Sequence, residues 1–212
     1  MTDVPTLSAA QLAQVSRRTI AHYNRKATEF RDATWGHDVS QNIAALLKHS
    51  VRPSPLTILD LGCGPGRDLV QFRDLGHHPI GLDGAEAFCD MARRASGCEV
   101  WQQDLLDLEL PAEFFDAVFA NAVLFQIPQQ CLDNVLERLY RSLKPGGVLL
   151  SSNPRGQNEE GWHLDRYGVY YDLTRWTRYL QATGFKKLEH YYRPAGLPRD
   201  QQPWLVTIWE RM

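Results

Sequence analysis

The first half of the sequence contains a glycine-rich run between an apolar segment and a polar one. The run extends from Ile58 to Asp68, carries one acid at Asp60, and has its glycines at Gly62, Gly64 and Gly66. Glycines allow the backbone to turn tightly and to come close to a ligand. A helix that begins after such a turn presents free N–H groups. The run therefore predicts a nucleotide or nucleoside cradle after a buried strand.

The spacing of these glycines differs from the patterns that bind phosphates. The dinucleotide fingerprint requires glycine at its first, third and sixth positions, and here the sixth position is Arg67. The carboxylate of Asp60 would repel a pyrophosphate and attract an amino group. A Gly-Lys-Ser/Thr sequence, which a P-loop requires, is absent. These features predict a ligand that carries a positive charge and no phosphates.

Further polar residues follow the next predicted strands. Asp83 ends the second strand, where an acid can accept hydrogen bonds from both hydroxyls of a ribose. Asp104 and Leu105 follow the third strand, where the edge of an adenine would lie, and Asn121 ends the fourth. Since the carboxyl ends of parallel strands share one edge of a sheet, we expect these residues to surround one ligand.

Two later segments predict a second binding region. The segment 153–171 has no clear periodicity, and long irregular segments in compact domains are usually functional. It combines arginines, acids and aromatic side chains, and the segment 192–204 adds further arginines. Arginine suits a carboxylate, an acid suits an ammonium group, and aromatic rings suit a flat ring. The segments predict a small zwitterionic substrate, with these candidate contacts: Arg155, Trp162, Tyr170 and Arg193.

The elements that would position these residues alternate between strand and helix. Such alternation predicts an α/β fold, a Rossmann-like parallel sheet with helices on both faces. No helix separates the last two predicted strands, so the last strand should run antiparallel. We expect seven strands, at 56–61, 79–82, 98–102, 115–120, 148–152, 185–192 and 204–210. We expect helices at 8–30, 40–49, 68–75, 86–95, 129–143 and 173–183.

Composition limits the remaining possibilities. The chain has 212 residues, of which 43% are hydrophobic, and a net charge of −2. These values argue against disorder and against a nucleic-acid-binding face. No apolar run is long enough to span a membrane. We expect one domain over 1–212, with a helical cover at 1–50, a ligand-binding core at 56–152, and substrate loops with the last strands at 153–212.

The cysteines and the N-terminal sequence carry two further expectations. Cysteines at 63, 89, 98 and 131 lack the spacing of metal ligands, so no metal is expected. The first residues have neither a basic region nor an apolar one, as a secretion signal would require. We therefore expect a cytoplasmic protein whose thiols are reduced.

Taken in order, these motifs resemble the class I S-adenosylmethionine-dependent methyltransferases. The resemblance covers residues 56–152 closely and includes the segments Phe115–Val118 and Leu143–Gly147. It implies S-adenosylmethionine as the cofactor and S-adenosylhomocysteine as its product. By this resemblance, the methionine end of the cofactor would contact Asp60, Gly62, Gly64 and Gly66. The ribose would contact Asp83 and Gly84, and the adenine would contact Asp104 and Leu105. Tyr23 would close over the cofactor, and Asn121 would lie across from the glycine loop.

Four further segments are similar to the methyltransferases of ovothiol biosynthesis: 37–42, 64–69, 152–156 and 191–198. In that family the methyltransferase is either the C-terminal domain of 5-histidylcysteine sulfoxide synthase or a separate chain. The resemblance implies 5-thiohistidine as substrate, ovothiol A as product, and functional pairing with a sulfoxide synthase and a lyase.

The implied reaction is attack of an imidazole nitrogen on the methyl group. The candidates to hold or deprotonate the ring are His163, Asn153 and Tyr167, and the sequence does not choose between them. Two alternatives remain open. One is a methyltransferase that acts on another small thiol, amine or carboxylate. The other is a cofactor-binding partner module without activity of its own.

Overall fold

The computed structural model describes residues 6–212. The first five residues of the predicted N-terminal cover, on which the expectation about a secretion signal partly rests, lie outside the described residues. Within residues 6–212 the chain forms six α-helices and nine β-strands. The helices are α1 (Ala9–Thr34), α2 (Ser40–His49), α3 (Arg67–Asp74), α4 (Glu86–Ser96), α5 (Gln129–Ser142) and α6 (Leu173–Thr183). The strands are β1 (Thr57–Leu61), β2 (His78–Asp83), β3 (Val100–Gln102), β4 (Phe115–Asn121), β5 (Leu143–Pro154), β6 (Glu159–His163), β7 (Arg166–Tyr170), β8 (Phe185–Arg193) and β9 (Trp204–Arg211).

Seven of these strands form one sheet, in the order β3-β2-β1-β4-β5-β9-β8. The pairs of β1 with β2 and β4, of β2 with β3, and of β4 with β5 are parallel. Strand β9 is antiparallel to both of its neighbours. The predicted fold class is thereby confirmed: a Rossmann-like, mostly parallel sheet with its last strand reversed. Helices cover both faces of the sheet, which explains why the central strands are mostly apolar.

The segment 153–171 differs from the irregular loop that the sequence predicted. Strand β5 continues to Pro154, and β6 and β7 then form an antiparallel hairpin beside the main sheet. The polar β6 has no apolar periodicity to reveal it, because its burial pattern is largely exposed. The hairpin forms because β7 buries Tyr167 and Val169 and so aligns the two backbones. We call this element the β6–β7 hairpin.

The first two helices begin as their sequences predict. The Ser8 hydroxyl accepts a hydrogen bond from the N–H of Gln11, and the Gln11 side-chain oxygen accepts one from the N–H of Ser8, so the two form a capping box at the start of α1. Before α2, the Asp38 carboxylate accepts the N–H of Ser40 at 2.9 Å. Helix α1 continues to Thr34, beyond the predicted end at residue 30.

A buried polar cluster joins α6 to the last strand of the sheet. The Thr207 hydroxyl oxygen accepts hydrogen bonds from the indole N–H of Trp176 at 3.0 Å and of Trp209 at 2.8 Å. All three side chains are almost completely buried. One hydroxyl group therefore satisfies two indole donors in the part of the core that holds β9 in place.

We expect Thr207→Val to lower the free energy of unfolding by about 2–4 kcal/mol. Valine has nearly the shape of threonine but accepts no hydrogen bond, so two buried N–H groups would lose their partner at about 1–3 kcal/mol each. Thr207→Ser, which keeps the oxygen, is the control. Urea denaturation of both variants measures the effect, and equal losses would contradict this account.

Candidate functional site

A cavity of about 790 Å³ lies at the carboxyl ends of the central parallel strands. Gly62 follows β1, Asp83 ends β2, Asn121 ends β4, and all three line it. Helix α1 lies across the opening and contributes Tyr23 and Phe30 to the wall. Ligands of open α/β sheets bind in this position, outside the carboxyl ends of the strands.

The glycine run forms the floor of the cavity, and each of its glycines has a positive φ: +68° at Gly62, +52° at Gly64 and +91° at Gly66. A Cβ at Gly62 would lie 2.5 Å from Val123, and one at Gly66 would lie 2.7 Å from Ala92. These two glycines therefore permit close packing of the loop. A Cβ at Gly64 would meet only the ring of Phe30, at 3.9 Å, so Gly64 keeps space open beneath α1.

Asp83 connects the end of β2 to the glycine run. Its two carboxylate oxygens accept the N–H groups of Gly64 at 3.0 Å and of Ala85 at 2.9 Å. Burial raises the pKa of Asp83 to about 6, while these backbone donors oppose the shift. Each carboxylate oxygen can accept a further hydrogen bond. The side chain can therefore receive two ligand hydroxyls without leaving the loop.

Asp60 lies beneath the glycine run, within β1, and is only 2% exposed. Its Oδ2 atom has no hydrogen-bond partner within the described residues. Burial and the nearby Asp68 raise its pKa well above the usual range, and Arg67 opposes them. An unpartnered buried carboxylate is costly. An ammonium group placed at this edge would relieve that cost, as the methionine end of the implied cofactor would.

The opposite end of the cavity is closed by contacts between α1 and the loop after β3. The Asp104 carboxylate accepts hydrogen bonds from the Ser16 hydroxyl of α1 and, at 2.9 Å, from the N–H of Leu106. Tyr23 packs its ring against Phe88, with the ring centres 5.6 Å apart. Burial raises the pKa of Tyr23, so its hydroxyl stays protonated.

Most of the residues predicted to hold the cofactor come together in this cavity. Those that line it are Tyr23, Gly62, Gly64, Asp83, Gly84, Asp104, Leu105 and Asn121. Asp60 and Gly66 lie behind the wall. An acid at one end, paired acceptors in the middle and an apolar cover fit the implied cofactor in shape and charge, and the individual roles stay predictions.

Of the four residues predicted to hold the substrate, only Arg193 lines the cavity. The Arg155 guanidinium donates to the backbone oxygens of Gln202, at 2.8 Å, and Arg199, so it fastens the segment before β9. Trp162 lies on the β6–β7 hairpin beneath Arg18, whose guanidinium carbon is 4.3 Å from the ring centre. Tyr170 packs against His163 on the same hairpin. The placement of these three gives no support to a substrate role.

The three candidate catalytic residues also lie outside the cavity wall. Asn153 is buried, accepts the N–H of Phe125 at 3.2 Å and donates to the Ser151 hydroxyl. The Tyr167 hydroxyl donates to Glu160 at 2.8 Å, and burial raises its pKa well above the usual range. His163 faces the ring of Tyr170, with the centres 4.8 Å apart. Asn153 and Tyr167 therefore hold the local structure together, and their catalytic roles stay predictions.

The cavity is also lined by charged or titratable residues that were not among the predicted site residues, among them His37, Asp38 and Arg166. His37 and Asp38 lie in the connection between α1 and α2. The sequence pattern predicts no helix or strand in this connection. Arg166 begins β7, and its charge lowers the pKa of Tyr23 against the larger effect of burial. The signal that could have found them is the pair of adjacent polar residues, His37 and Asp38, in a connection between two helices that faces the edge of the sheet.

Comparisons with known proteins agree with this geometry. Residues 58–147 match the family model of a methyltransferase domain. Trans-aconitate 2-methyltransferase of Azoarcus sp. (strain BH72) is 37% identical over 112 residues, which cover 52% of this chain and 44% of the relative. Sterol 24-C-methyltransferase of Debaryomyces hansenii is 28% identical over 88% of this chain and 53% of the relative. The chain thus spans about half the length of the curated relatives it matches.

A solved structure matches over the whole chain. The 1,6-didemethyltoxoflavin-N1-methyltransferase of Burkholderia thailandensis, solved with 1,6-didemethyltoxoflavin and S-adenosylhomocysteine, has a TM-score of 0.78 and 21% identity. The match covers 100% of this chain and 93% of the other. The chain therefore has the fold of class I S-adenosylmethionine-dependent methyltransferases. Residues 58–147 match the family model of a methyltransferase domain, and S-adenosylmethionine is the cofactor of that class.

Between residues 6 and 212 no three His, Cys, Asp or Glu side chains gather as a metal site would require. None of the helices in that same range is long and apolar enough to cross a membrane.

We expect Gly64→Ala to weaken binding of S-adenosylhomocysteine by at least about tenfold, because its Cβ would occupy the space beneath α1. Gly97→Ala is the matched control, since Gly97 also has a positive φ, of +67°, and nothing within 4 Å of a Cβ. Both variants carry a backbone strain of about 1–2 kcal/mol. Calorimetry should separate them, and equal affinities would contradict a close approach of the ligand at Gly64.

We expect the affinity for S-adenosylhomocysteine to rise as the pH rises through about 6. The raised pKa of Asp83 means that the free protein holds a neutral acid below this pH, whereas ribose hydroxyls bind better to the carboxylate. The same group lowers the folding stability as the pH rises from about 4 to 6. Titration calorimetry between pH 5 and 7.5 should show a rise of about tenfold. Asp83→Asn should flatten it, and a rise that survives in this variant would exclude Asp83 as its source.

Proposed function

We propose that this chain transfers a methyl group from S-adenosylmethionine to a small zwitterionic molecule, and that its reaction is N-methylation of the imidazole ring of 5-thiohistidine to ovothiol A. The observation that carries this proposal is a set of charged and titratable residues that line the cavity beyond the turns after β1, β2 and β3. The set comprises two arginines, one acid and one imidazole: Arg166, Arg193, Asp38 and His37.

The cofactor end of the cavity supports the first half of the proposal. When bound, the cofactor supplies an electrophilic methyl group on a sulfonium. Asp60 would pair with its ammonium group, Asp83 would accept the ribose hydroxyls, and Asp104 would meet the adenine edge. The glycine run would let the backbone approach, and Tyr23 would exclude water from above.

The other end of the cavity supports an amino acid as the substrate. Arginine can bind a carboxylate through two parallel hydrogen bonds. Arg193 donates one N–H to the backbone oxygen of Asp38 at 2.6 Å, which fixes the guanidinium and leaves further donors for a ligand. Arg166, the first residue of β7, also lines the cavity and lies close enough to Tyr23 of α1 to lower the pKa of that hydroxyl. Asp38, one residue from His37, supplies a negative charge for the substrate ammonium.

The chemical task of these residues is mainly positioning. Holding two reactants in line can contribute several kcal/mol to the lowering of a barrier. The attacking ring nitrogen must be unprotonated, and His37 is the cavity-lining imidazole that can accept a proton from it. We assign this role to His37 and not to His163, because His37 reaches the cavity and His163 packs against Tyr170.

Methylation of a carboxylate oxygen is the second candidate function. It is favoured by the similarity to trans-aconitate 2-methyltransferase and by the same two arginines, which would also bind a polycarboxylate. A catalytically inactive cofactor-binding module is the third possibility, and it predicts cofactor binding without turnover.

The deciding experiment offers the purified protein labelled S-adenosylmethionine with 5-thiohistidine, histidine, trans-aconitate and a panel of thiols. We expect methyl transfer to 5-thiohistidine, with the product identified by mass spectrometry. Transfer to trans-aconitate alone would favour the second function. No transfer to any acceptor, with intact cofactor binding, would favour the third.

We expect Arg193→Lys or Arg166→Lys to raise the KM for 5-thiohistidine by about tenfold or more, because lysine cannot reproduce the two parallel hydrogen bonds. The affinity for S-adenosylhomocysteine should change little. Arg94→Lys, on the exposed side of α4, is the matched control. Steady-state kinetics measure the effect. If both variants keep the wild-type KM, the carboxylate is bound elsewhere.

A further inference from the structure

Three side chains form a hydrogen-bonded line from β8, through α2, to the cavity. The Tyr191 hydroxyl donates to Asn42 Oδ1 at 2.9 Å, and Asn42 Nδ2 donates to Asn121 Oδ1 at 3.1 Å. Asn42 is completely buried, and Asn121 lines the cavity. The line ends beside the connection 37–39, at the end of the cavity that holds Asp38 and Arg193.

The directions of these hydrogen bonds follow from the first donor. Burial raises the pKa of Tyr191 to about 12, so its hydroxyl keeps its proton at neutral pH. Its other acceptor, the backbone oxygen of Gln41, is 3.4 Å away and is the weaker partner. The proton therefore points to Asn42 Oδ1. An amide has its oxygen and its NH2 group on opposite sides, so Asn42 must then turn its NH2 group toward Asn121.

The orientation of Asn121 follows in the same way. Because its Oδ1 accepts the hydrogen bond from Asn42, its NH2 group lies on the opposite side of the amide. Asn121 lines the cavity, and among the described residues nothing accepts a hydrogen bond from this NH2 group, which leaves it free to face the cavity. Buried polar groups that are held by a network keep one orientation, because a reversed amide would place two like groups together. The line thus fixes the hydrogen-bonding polarity of the cavity wall at the end of β4.

We propose that Asn121 is a substrate-orienting donor, and that the substrate group lying against it is a hydrogen-bond acceptor with a lone pair. Asn42 and Tyr191 are its positioning residues. This inference rests on the proposed function and narrows its substrate class: a thiolate, a carboxylate or an unprotonated ring nitrogen fits, whereas an ammonium group does not. It also gives Asn121 a substrate contact beyond the cofactor contact that the sequence predicted.

For 5-thiohistidine the donor has a specific chemical consequence. The sulfur competes with the ring nitrogen as a nucleophile for the methyl group. N–H groups that bind the sulfur lone pairs lower its reactivity and turn a ring nitrogen toward the methyl. Asn121 would then determine both which substrate binds and which atom is methylated.

The test compares ligand binding by calorimetry with S-adenosylhomocysteine at saturation. The probes are 5-thiohistidine and histidine, which differ only in the sulfur, and trans-aconitate. The main variant, Asn121→Asp, keeps the size of the side chain but replaces the donor by an acceptor. We expect it to weaken binding of 5-thiohistidine by at least about tenfold and to change histidine binding less than about twofold. Asn134→Asp on the exposed face of α5 makes the same change in charge and should have no effect.

Two further measurements separate polarity from structural damage. Tyr191→Phe removes the first donor without burying a charge, so it should reduce the preference for 5-thiohistidine over histidine several-fold while the melting temperature falls only slightly. In ¹⁵N NMR spectra, the Asn121 side-chain amide signal, identified by its loss in Asn121→Asp, should shift when 5-thiohistidine is added but not with histidine.

The outcomes also distinguish this proposal from the proposed function. If 5-thiohistidine does not bind but trans-aconitate does, the substrate assignment fails, and weaker trans-aconitate binding by Asn121→Asp would still support the donor. Unchanged binding of every acceptor by Asn121→Asp, or no preference of the wild type for 5-thiohistidine over histidine, would overturn it. The proposal for Asn121 is also contradicted if neither 5-thiohistidine nor trans-aconitate binds to the protein loaded with S-adenosylhomocysteine.

Discussion

The cavity depends on the contact between Asp83 and the glycine run. The carboxylate accepts N–H groups from Gly64 and Ala85 and thereby holds the loop after β1 against the end of β2. Parallel strands place both elements at one edge of the sheet, and the positive φ values of the glycines allow the loop to turn there. Burial raises the pKa of Asp83. The contact that shapes the site therefore leaves a buried carboxyl group, and a hydrogen bond from a ligand hydroxyl would reduce the cost of burying it.

Helix α1 closes the cavity with few buried residues of its own. Of its 26 residues only Val15 and Ala27 are buried. Its apolar contacts include the packing of Tyr23 and Phe30 against Phe88 of α4. Its other links are polar, as between Ser16 and Asp104, or exposed, as between Arg18 and Asp165 on the β6–β7 hairpin at 3.0 Å. Exposed ion pairs contribute little to stability, so the aromatic contacts with α4 hold the cover more than the ion pair does.

The two ends of the cavity are built from different kinds of structure. The cofactor end consists of short turns after β1, β2 and β3, and it falls largely within residues 58–147, which match the methyltransferase domain. Other parts of the cavity wall come from outside these turns: Asp38 precedes α2, Arg166 begins β7 and Arg193 ends β8. The arginines that we propose to bind the substrate carboxylate therefore lie outside the matched domain, whereas Asn121 at the end of β4 lies within it.

The sequence alone determined the fold and most of the cofactor end, because both depend on local signals. The strand and helix pattern, the glycine run and acids at the ends of strands are neighbours along the chain. Only the tertiary structure decided the substrate end. Arg155 matched the expected chemistry, yet it binds backbone oxygens, whereas Arg166 reaches the cavity. Pairing register and packing between distant segments decide which side of a strand or hairpin faces a cavity. Residue type and spacing along the chain do not specify that register or packing.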